Sequence, residues 1–393
     1  MSASETGTQN YGDWQYELYL RGLAGERPRL PTAWAEVERA AGEALAPEPR
    51  GYVWGGAGTG DTMRANLEAF RRWRIVPRML RDVGVRDLRT TILGTEMPAP
   101  VLLAPVGVQT IVHDEGELAS ARGAAALGVP VVASTAAAHS LEEIADAAGD
   151  APRWYQLYWP KDDEITKSIV QRAERAGYQA IVVTLDTMEL AWRPADLGHG
   201  YLPFLEGTGI AQFLSDPVFR ATLARPPEED MQAAVGQWVA VINKFVTWQD
   251  LAFLRSLTSL PILLKGILHP DDARAALAHG VDGVIVSNHG GRQVDGAIAA
   301  LDALAAIADA VGSEITVLFD SGIRCGADVV KALALGAEAV LVGRPYLWGL
   351  ALDGQAGVET VLRMLLAELD LTLALSGYRS PSEVGRGAIA PLS

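Results

Sequence analysis

Thiols are nearly absent from this chain. Cys325 is its one cysteine, so no internal disulfide can form, and a reducing compartment, the cytoplasm, is expected. Positive charge is also in short supply: 33 Lys and Arg face 48 Asp and Glu, for a net charge of -15. That balance argues against a surface for nucleic acid or an anionic membrane. It leaves room for a small anionic ligand, because a local cationic pocket can exist inside an acidic protein. No apolar run reaches the length of a membrane span. The opening "MSASETGTQNYGDWQYELYL" has no basic start followed by an apolar stretch, so no signal peptide is expected. Two nucleotide signatures are missing as well. The glycine-rich turn "RGYVWGGAGTGD" (50–61), carrying Tyr52 and Trp54, lacks the G-K-[ST] ending of a Walker loop. No G-x-G-x-x-G follows the first strand candidate.

What is there is a chain of 393 residues, 49% hydrophobic, which supports a large core in one big domain or two ordinary ones. From about residue 100, short apolar runs alternate with alanine-rich amphipathic stretches. Eight runs read as strands: "VLLAP" (101–105), "VPVVAS" (129–134), "RWYQLY" (153–158), "AIVVTLD" (180–186), "PILLK" (261–265), "GVIVSN" (283–288), "ITVLFD" (315–320) and "AVLVG" (339–343). Several of the helical stretches between them end in glycine, as a helix C-cap prefers. Continuously apolar strands imply a parallel sheet buried on both faces. Eight regular units predict an α/β fold, a closed (β/α)8 TIM barrel spanning 96–380, with an open doubly wound sheet as the alternative. Residues 1–95, with helix patterns in "PTAWAEVERAAGEAL" and "DTMRANLEAFRRW", form an N-terminal helical extension, and 381–393 a tail. Between Asp186 and Pro261 the chain is too long for one unit. Its Gly, Pro and aromatic content predicts an ordered lid-like insertion at 188–235 over the catalytic face, or else a contact between subunits.

Side chains at the C-terminal ends of barrel strands face the active site. Those positions hold Ser134, Gln156, Tyr158, Thr184, Asp186, Lys265, His289, Arg292 and Asp320. Each has a plain structural reading: Asp320 caps the next helix, Tyr158 is core, Gln156 satisfies a backbone group, His289 is a structural donor. Together they would be costly to bury without a polar ligand. Lys265, Arg193, Arg292, Arg324 and Arg344 suggest two bound anionic groups, a phosphate and a carboxylate. Arg324 and Arg344 follow strands 7 and 8, the usual phosphate site of such barrels, with the N–H groups of Gly322 and Gly343 completing a cradle. Arg292 suits a bidentate grip on a carboxylate. His289 is then placed as a general base, with Asp186 as the carboxylate that stabilises its imidazolium.

At "SNHGGRQ" (287–293) the chain resembles the FMN-dependent L-2-hydroxy acid oxidases and dehydrogenases, the glycolate oxidase and lactate oxidase family. "LAPVGVQ", "STAAAHS", "WYQLYWPKD", "VTLDT", "ILLKGI", "LFDSGIRCGADVVKALALGA" and "VGRPYLWG" follow in the family's order, from about residue 40 to 380. "YVWGGAG", "WRPADL" and "LKGILHPDDAR" look most like its L-lactate 2-monooxygenase branch. The resemblance implies an FMN cofactor, a small 2-hydroxy acid and O2 as substrates, and a homo-oligomer, tetrameric or octameric. It implies no metal. It assigns Tyr52 and Tyr158 to hydrogen bonds with the substrate, and Arg193 and Arg292 to its carboxylate. His289 becomes the base, Asp186 its partner, and Lys265 the charge beside the flavin ring. Pro105, Val106, Gly107, Ser134, Gln156, Thr184 and Ser287 line the ring. Asp320 takes the ribityl chain, and Gly322, Arg324, Gly343 and Arg344 the phosphate. The implied reaction is oxidation of L-lactate to acetate and CO2. An oxidase releasing 2-keto acid and peroxide is the alternative, with room for a bulkier, mandelate-like substrate because Gly107 and Ala136 are small, Trp54 being expected to refill some of that space. Readings of another class are an inactive flavin-binding scaffold and a flavin-free sugar-phosphate isomerase.

Overall fold

The computed structural model describes residues 10–392. Eight parallel strands close into a barrel: β1 (Val101–Leu103), β2 (Val131–Ser134), β3 (Arg153–Leu157), β4 (Ile181–Thr184), β5 (Ile262–Ile267), β6 (Gly283–Val286), β7 (Thr316–Phe319) and β8 (Ala339–Val342). Each falls on one of the eight apolar runs. Val340, Leu341 and Val342 of β8 pair with Val101, Leu102 and Leu103 of β1, which shuts the ring. The open doubly wound alternative is thereby excluded.

The strands alternate with a period of two between the barrel interior and the surrounding helices. Leu102, Val132, Trp154, Val182, Leu263, Ile285, Leu318 and Leu341 belong to one buried apolar cluster. Their neighbours in sequence, such as Val131, Tyr155, Val183, Leu264 and Val317, belong to the larger cluster shared with the helices. A hairpin of Thr90–Ile92 and Thr95–Met97 closes the lower end, where Thr95 accepts the indole N–H of Trp154 at 2.9 Å. Two residues further along each strand, the inward positions hold Ala104, Ser134, Gln156, Thr184, Lys265, Ser287, Asp320 and Gly343. The apolar interior thus changes to a mostly polar layer within one side-chain step, at the end of the barrel where the β–α loops converge.

Ahead of the barrel, the helices Trp34–Ala44 and Asp61–Arg71 form where the apolar periodicity puts them. Between them the sequence reading needs correction: Tyr52 and Trp54 sit not in a turn but on a helix, Pro47–Trp54, with proline at its first position. The turn begins only at Gly55. At the other end, Ile389–Pro391 pairs antiparallel with Trp73–Ile75.

The long excursion after β4 is built of short helices, Pro194–His199, Ala211–Leu214, Pro217–Ala221 and Met231–Val241, before the barrel helix Asp250–Leu257. It is fastened to the barrel by polar anchors. The buried Arg172 donates to the Gln212 carbonyl at 2.9 Å and pairs with Asp216 at 3.1 Å and Glu142 at 2.8 Å. Gln212 in turn accepts Leu141 N–H at 2.7 Å and donates to the His139 carbonyl at 2.8 Å. Phe213 and Phe219 meet edge to face inside the core.

Candidate active site

Above the polar layer lies a cavity of about 270 Å³. Its wall includes Tyr52, Pro105, Val106, Gly107, Ser134, Ala136, Tyr158, Arg193, Lys265, His289, Arg292, Asp320, Gly322, Arg324, Gly343 and Arg344. Sequence-predicted residues from the extension, the excursion and seven of the eight strand ends therefore converge on one space. Four others, Gln156, Thr184, Asp186 and Ser287, stand behind its surface. Trp54 does not reach it at all; it stacks on Trp348 at 6.4 Å between ring centres, so it refills none of the space beside Ala136.

His289 leaves β6 in a short 3-10 turn, with φ +57 at His289, +66 at Gly290 and +76 at Gly291. A left-handed histidine costs about 1–2 kcal/mol, and such strain gathers at functional sites. Gly291 is required there, since a Cβ would fall 2.5 Å from the backbone nitrogen of Met63. The turn is tied from below: Ser287 Oγ accepts His289 N–H at 3.0 Å, and Ser321 Oγ accepts Gly290 N–H at 3.0 Å. The ring's Nδ1 lies 2.8 Å from Asp186 Oδ1 and 3.1 Å from the Thr187 hydroxyl, which itself donates to Asp186 Oδ1 at 3.0 Å. That arrangement places the proton on Nδ1 and leaves Nε2 as an acceptor. Burial pulls the His289 pKa below the usual histidine value, against the pull of Asp186. The neutral, proton-accepting ring is thus favoured. Burial also works against the Asp186 charge, but His289 and Lys265 hold its pKa well below the usual range.

Lys265, 4% exposed, lies 3.0 Å from Ser287 Oγ, 3.4 Å from Asp320 and 3.9 Å from Asp186. Burial opposes its charge, yet Asp320 and Asp186 keep its pKa above the ordinary lysine value. Asp320 does not cap the following helix; its other oxygen accepts Ser321 Oγ at 2.7 Å. Tyr158 is pushed up to about 12 by burial and by Asp186, so its hydroxyl stays a donor.

On the other side, Arg292 donates to the carbonyls of Tyr52 at 2.5 Å and Gly55 at 2.8 Å, with its guanidinium over the Tyr52 ring at 5.0 Å. Arg193 donates to the Arg292 carbonyl at 3.1 Å and to Gln293 Oε1 at 2.5 Å. Gln293 then reaches back to the Asp186 carbonyl at 2.6 Å. Arg324 stacks on Trp348, 5.3 Å from the ring centre, and the only hydrogen bond of its guanidinium among the described residues goes to its neighbour Ile323. Arg344 is spent differently. Its guanidinium donates to the carbonyls of Val53, Gly290 and Gly55, each at 3.0 Å, so it splints the extension to the His289 turn as well as facing the cavity. Burial, with Arg324 and Arg292 nearby, pushes the Arg344 pKa down. Cations held this close ask for an anion between them.

A flavin phosphate fits this donor set by an observation independent of charge. The amide nitrogen of Gln156 and the hydroxyl of Thr184 are buried without a hydrogen-bond partner among the described residues. Unpaired groups of that kind in a polar layer await a ligand with donors and acceptors along one edge. Sequence reasoning overlooked Thr187, Ser321 and Gln293. All three lie inside quoted motifs, "VTLDT", "LFDSGIRCGADVVKALALGA" and "SNHGGRQ", but their work depends on loops more than 30 residues apart.

The barrel, the cationic end and the His–Asp pair define a phosphate-cofactor barrel equipped for proton abstraction next to a carboxylate. Residues 41–391 match the FMN-dependent dehydrogenase family, and the chain belongs to that family. It is 45% identical over 388 residues to an FMN-dependent alpha-hydroxy acid dehydrogenase of Schizosaccharomyces pombe, covering 96% of this chain and 95% of that one. It is 44% identical to an L-lactate oxidase of Lysinibacillus sphaericus, over 93% of this chain and 94% of the relative. A crystal structure of mandelate oxidase superimposes with a TM-score of 0.81 at 40% identity, covering 90% of this chain and 97% of the other. The protein is an FMN-dependent 2-hydroxy acid oxidoreductase. Among the described residues no helix is long and apolar enough to cross a membrane.

Proposed function

We propose that this enzyme is an L-lactate 2-monooxygenase, converting L-lactate and O2 to acetate, CO2 and water. The observation that carries this reading is the roof of the cavity. Leu190, Leu202, Phe204, Phe213, Trp238 and Ile242, all from the excursion after β4, line it opposite the barrel. A roof of that kind holds the keto acid in place after oxidation.

The chemistry that bound FMN would supply is two-electron acceptance from the α-carbon and reoxidation by O2. The protein's residues do the rest. Arg193 and Arg292 grip the carboxylate from two sides. Tyr52 and Tyr158, both half-buried and with pKa values raised by desolvation, donate hydrogen bonds to the substrate. Nε2 of His289 takes the hydroxyl proton, and Asp186 stabilises the imidazolium as it forms. Lys265, Ser134, Gln156, Thr184 and Ser287 would contact the ring, with Pro105, Val106 and Gly107 against its face. Asp320 would take the ribityl chain. Arg324, Arg344 and the N–H groups of Gly322 and Gly343 would hold the phosphate. If pyruvate remains when hydrogen peroxide is made, peroxide adds to its carbonyl carbon. The C1–C2 bond then breaks, CO2 leaves, and acetate and water remain.

The second reading is an oxidase for a bulkier 2-hydroxy acid. It is favoured by the short Ala136 side chain in the cavity wall; Gly107 itself packs on the Ala136 backbone, where a Cβ would fall 2.4 Å from the carbonyl oxygen. Product analysis with L-lactate in air separates the two. Acetate with little free peroxide is expected. Pyruvate with matching peroxide means an oxidase, and no turnover of lactate by a yellow protein directs the search to larger acids.

A further inference from the structure

Two guanidiniums face the substrate carboxylate, and a third charged group stands directly behind them. Arg193 is the N-cap of the short helix Pro194–His199, and Asp196 lies three residues on, inside it. Its Oδ2 is 4.0 Å from Arg292 Nη2, and its side chain is 10% exposed. Its Oδ1 is buried with no hydrogen-bond partner among the described residues. The helix cannot easily turn Asp196 away, because the Pro47–Trp54 helix presses on it: a Cβ on Gly51 would already stand 3.4 Å from Ala195. Asp196 is not part of the cavity wall. It therefore subtracts charge from the clamp without occupying the substrate's place.

We propose that Asp196 sets the net charge of the Arg193–Arg292 clamp to one positive unit, and so selects acids with one carboxylate over acids with two. The proposal rests on the 2-hydroxy acid reading of the site. Two cations and one carboxylate leave one charge to be balanced, which a lactate-like monoanion supplies. A second carboxylate on the substrate would enter a clamp already neutral, with Asp196 repelling it through a partly desolvated wall where screening is weak. Selectivity of this sort comes from a placed repulsion as much as from the attractive contacts. Asp196 is a positioning and charge-setting residue; it does not touch the reacting atoms.

The test compares the flavin-loaded wild type with Asp196→Asn and Asp196→Glu at pH 8 and low ionic strength. Binding of propionate and of malonate, which differ by one carboxylate and are not oxidised, is followed by the change in flavin absorbance. Turnover of L-lactate and L-malate is measured beside it. In Asp196→Asn the malonate-to-propionate affinity ratio is expected to shift about tenfold toward malonate, the size of one nearby charge at intermediate dielectric. KM for L-lactate should fall or stay level, and Asp196→Glu should keep the wild-type ratio. If Asp196 only props Arg292 in place, both affinities weaken together at a constant ratio, and the proposal is overturned. A constant ratio with lactate turnover intact overturns the Asp196 proposal alone. A shifted ratio in a protein that oxidises neither acid sustains the charge-setting role and removes the substrate reading.

Discussion

Replacing Asp186 by Asn tests the proposed base most directly, because size is kept and only charge and proton order change. In the native site the Nδ1–H of His289 points at Asp186, so Nε2 is free to receive the substrate proton. When it does, an imidazolium stands beside a carboxylate with Nδ1 and Oδ1 2.8 Å apart, a charge separation on the order of 4 Å. At an effective dielectric of about 20 this attraction is worth about 4 kcal/mol. Part of it is already felt by the ground state through the Nδ1–H hydrogen bond, so a loss of roughly 10²- to 10³-fold in the rate of flavin reduction is expected. Two features of the surroundings add to it. Lys265, 3.9 Å from Asp186, loses a counter-charge and then repels the imidazolium. The Asn amide can also present N–H to Nδ1, which moves the ring proton to Nε2 and blocks the base outright.

The pH profile gives the prediction its sign. A base works only when unprotonated, so the rate falls as pH drops through the pKa of His289. Burial already lowers that pKa, and Asp186 is the group that raises it again. Without the carboxylate the pKa falls further. The acid limb of the profile must therefore move to lower pH while the plateau drops. Stopped-flow reduction of the flavin by L-lactate without oxygen, from pH 5 to 9, reads both quantities. A plateau within threefold of wild type, or an acid limb displaced to higher pH, would refute the assignment of Asp186 and His289. A variant that merely misfolds would lose amplitude, not move the limb.

Three further changes probe the rest of the site. Gln293→Leu removes the acceptor of Arg193 and the donor to the Asp186 carbonyl, so KM for L-lactate is expected to rise about tenfold with a smaller change in kcat, in steady-state assays. Ala136→Leu should cut kcat/KM for an aromatic 2-hydroxy acid at least tenfold more than for L-lactate, because the added carbons take up volume in the cavity that Ala136 lines; an equal loss on both would count against the pocket reading. Arg172→Leu strands the fully buried Asp216 and loosens the excursion. A loss of about 3–5 kcal/mol in denaturant unfolding is expected, together with a shift of product from acetate to pyruvate and peroxide, if the roof retains the keto acid.

Much of this was legible in the sequence, for physical reasons that also mark where legibility stops. Parallel barrel strands are buried on both faces, so they read as unbroken apolar runs, and all eight were found where the barrel has them. The inward positions just above that apolar layer are forced to be polar by what they hold, which makes Gln156, Thr184, Lys265 and Asp320 conspicuous. The helix Pro47–Trp54 read as a turn because two prolines and Gly51 erase any helical pattern; packing against Pro194–His199 forms it. The excursion's helices are too short to show a period, several with 4 to 6 residues. For Arg344 the sequence shows a charge but not where its donors go, and three of them go to backbone carbonyls.

The acidic chain and the cationic pocket are parts of one arrangement. Five cations at the site, Lys265, Arg193, Arg292, Arg324 and Arg344, meet three carboxylates, Asp186, Asp196 and Asp320. The surplus of two positive charges is what a phosphate monoester, at about −1.5 to −2 near neutral pH, neutralises. The substrate carboxylate then arrives in a site that is already close to balanced overall. In the proposed mechanism, what binds it is the local imbalance at Arg193 and Arg292, and what stabilises the proton taken by His289 is the carboxylate of Asp186. The distribution of charge across the cavity, more than its total, separates the three tasks. Holding the cofactor, gripping the acid and stabilising the imidazolium can then each be altered by one substitution while the other two persist.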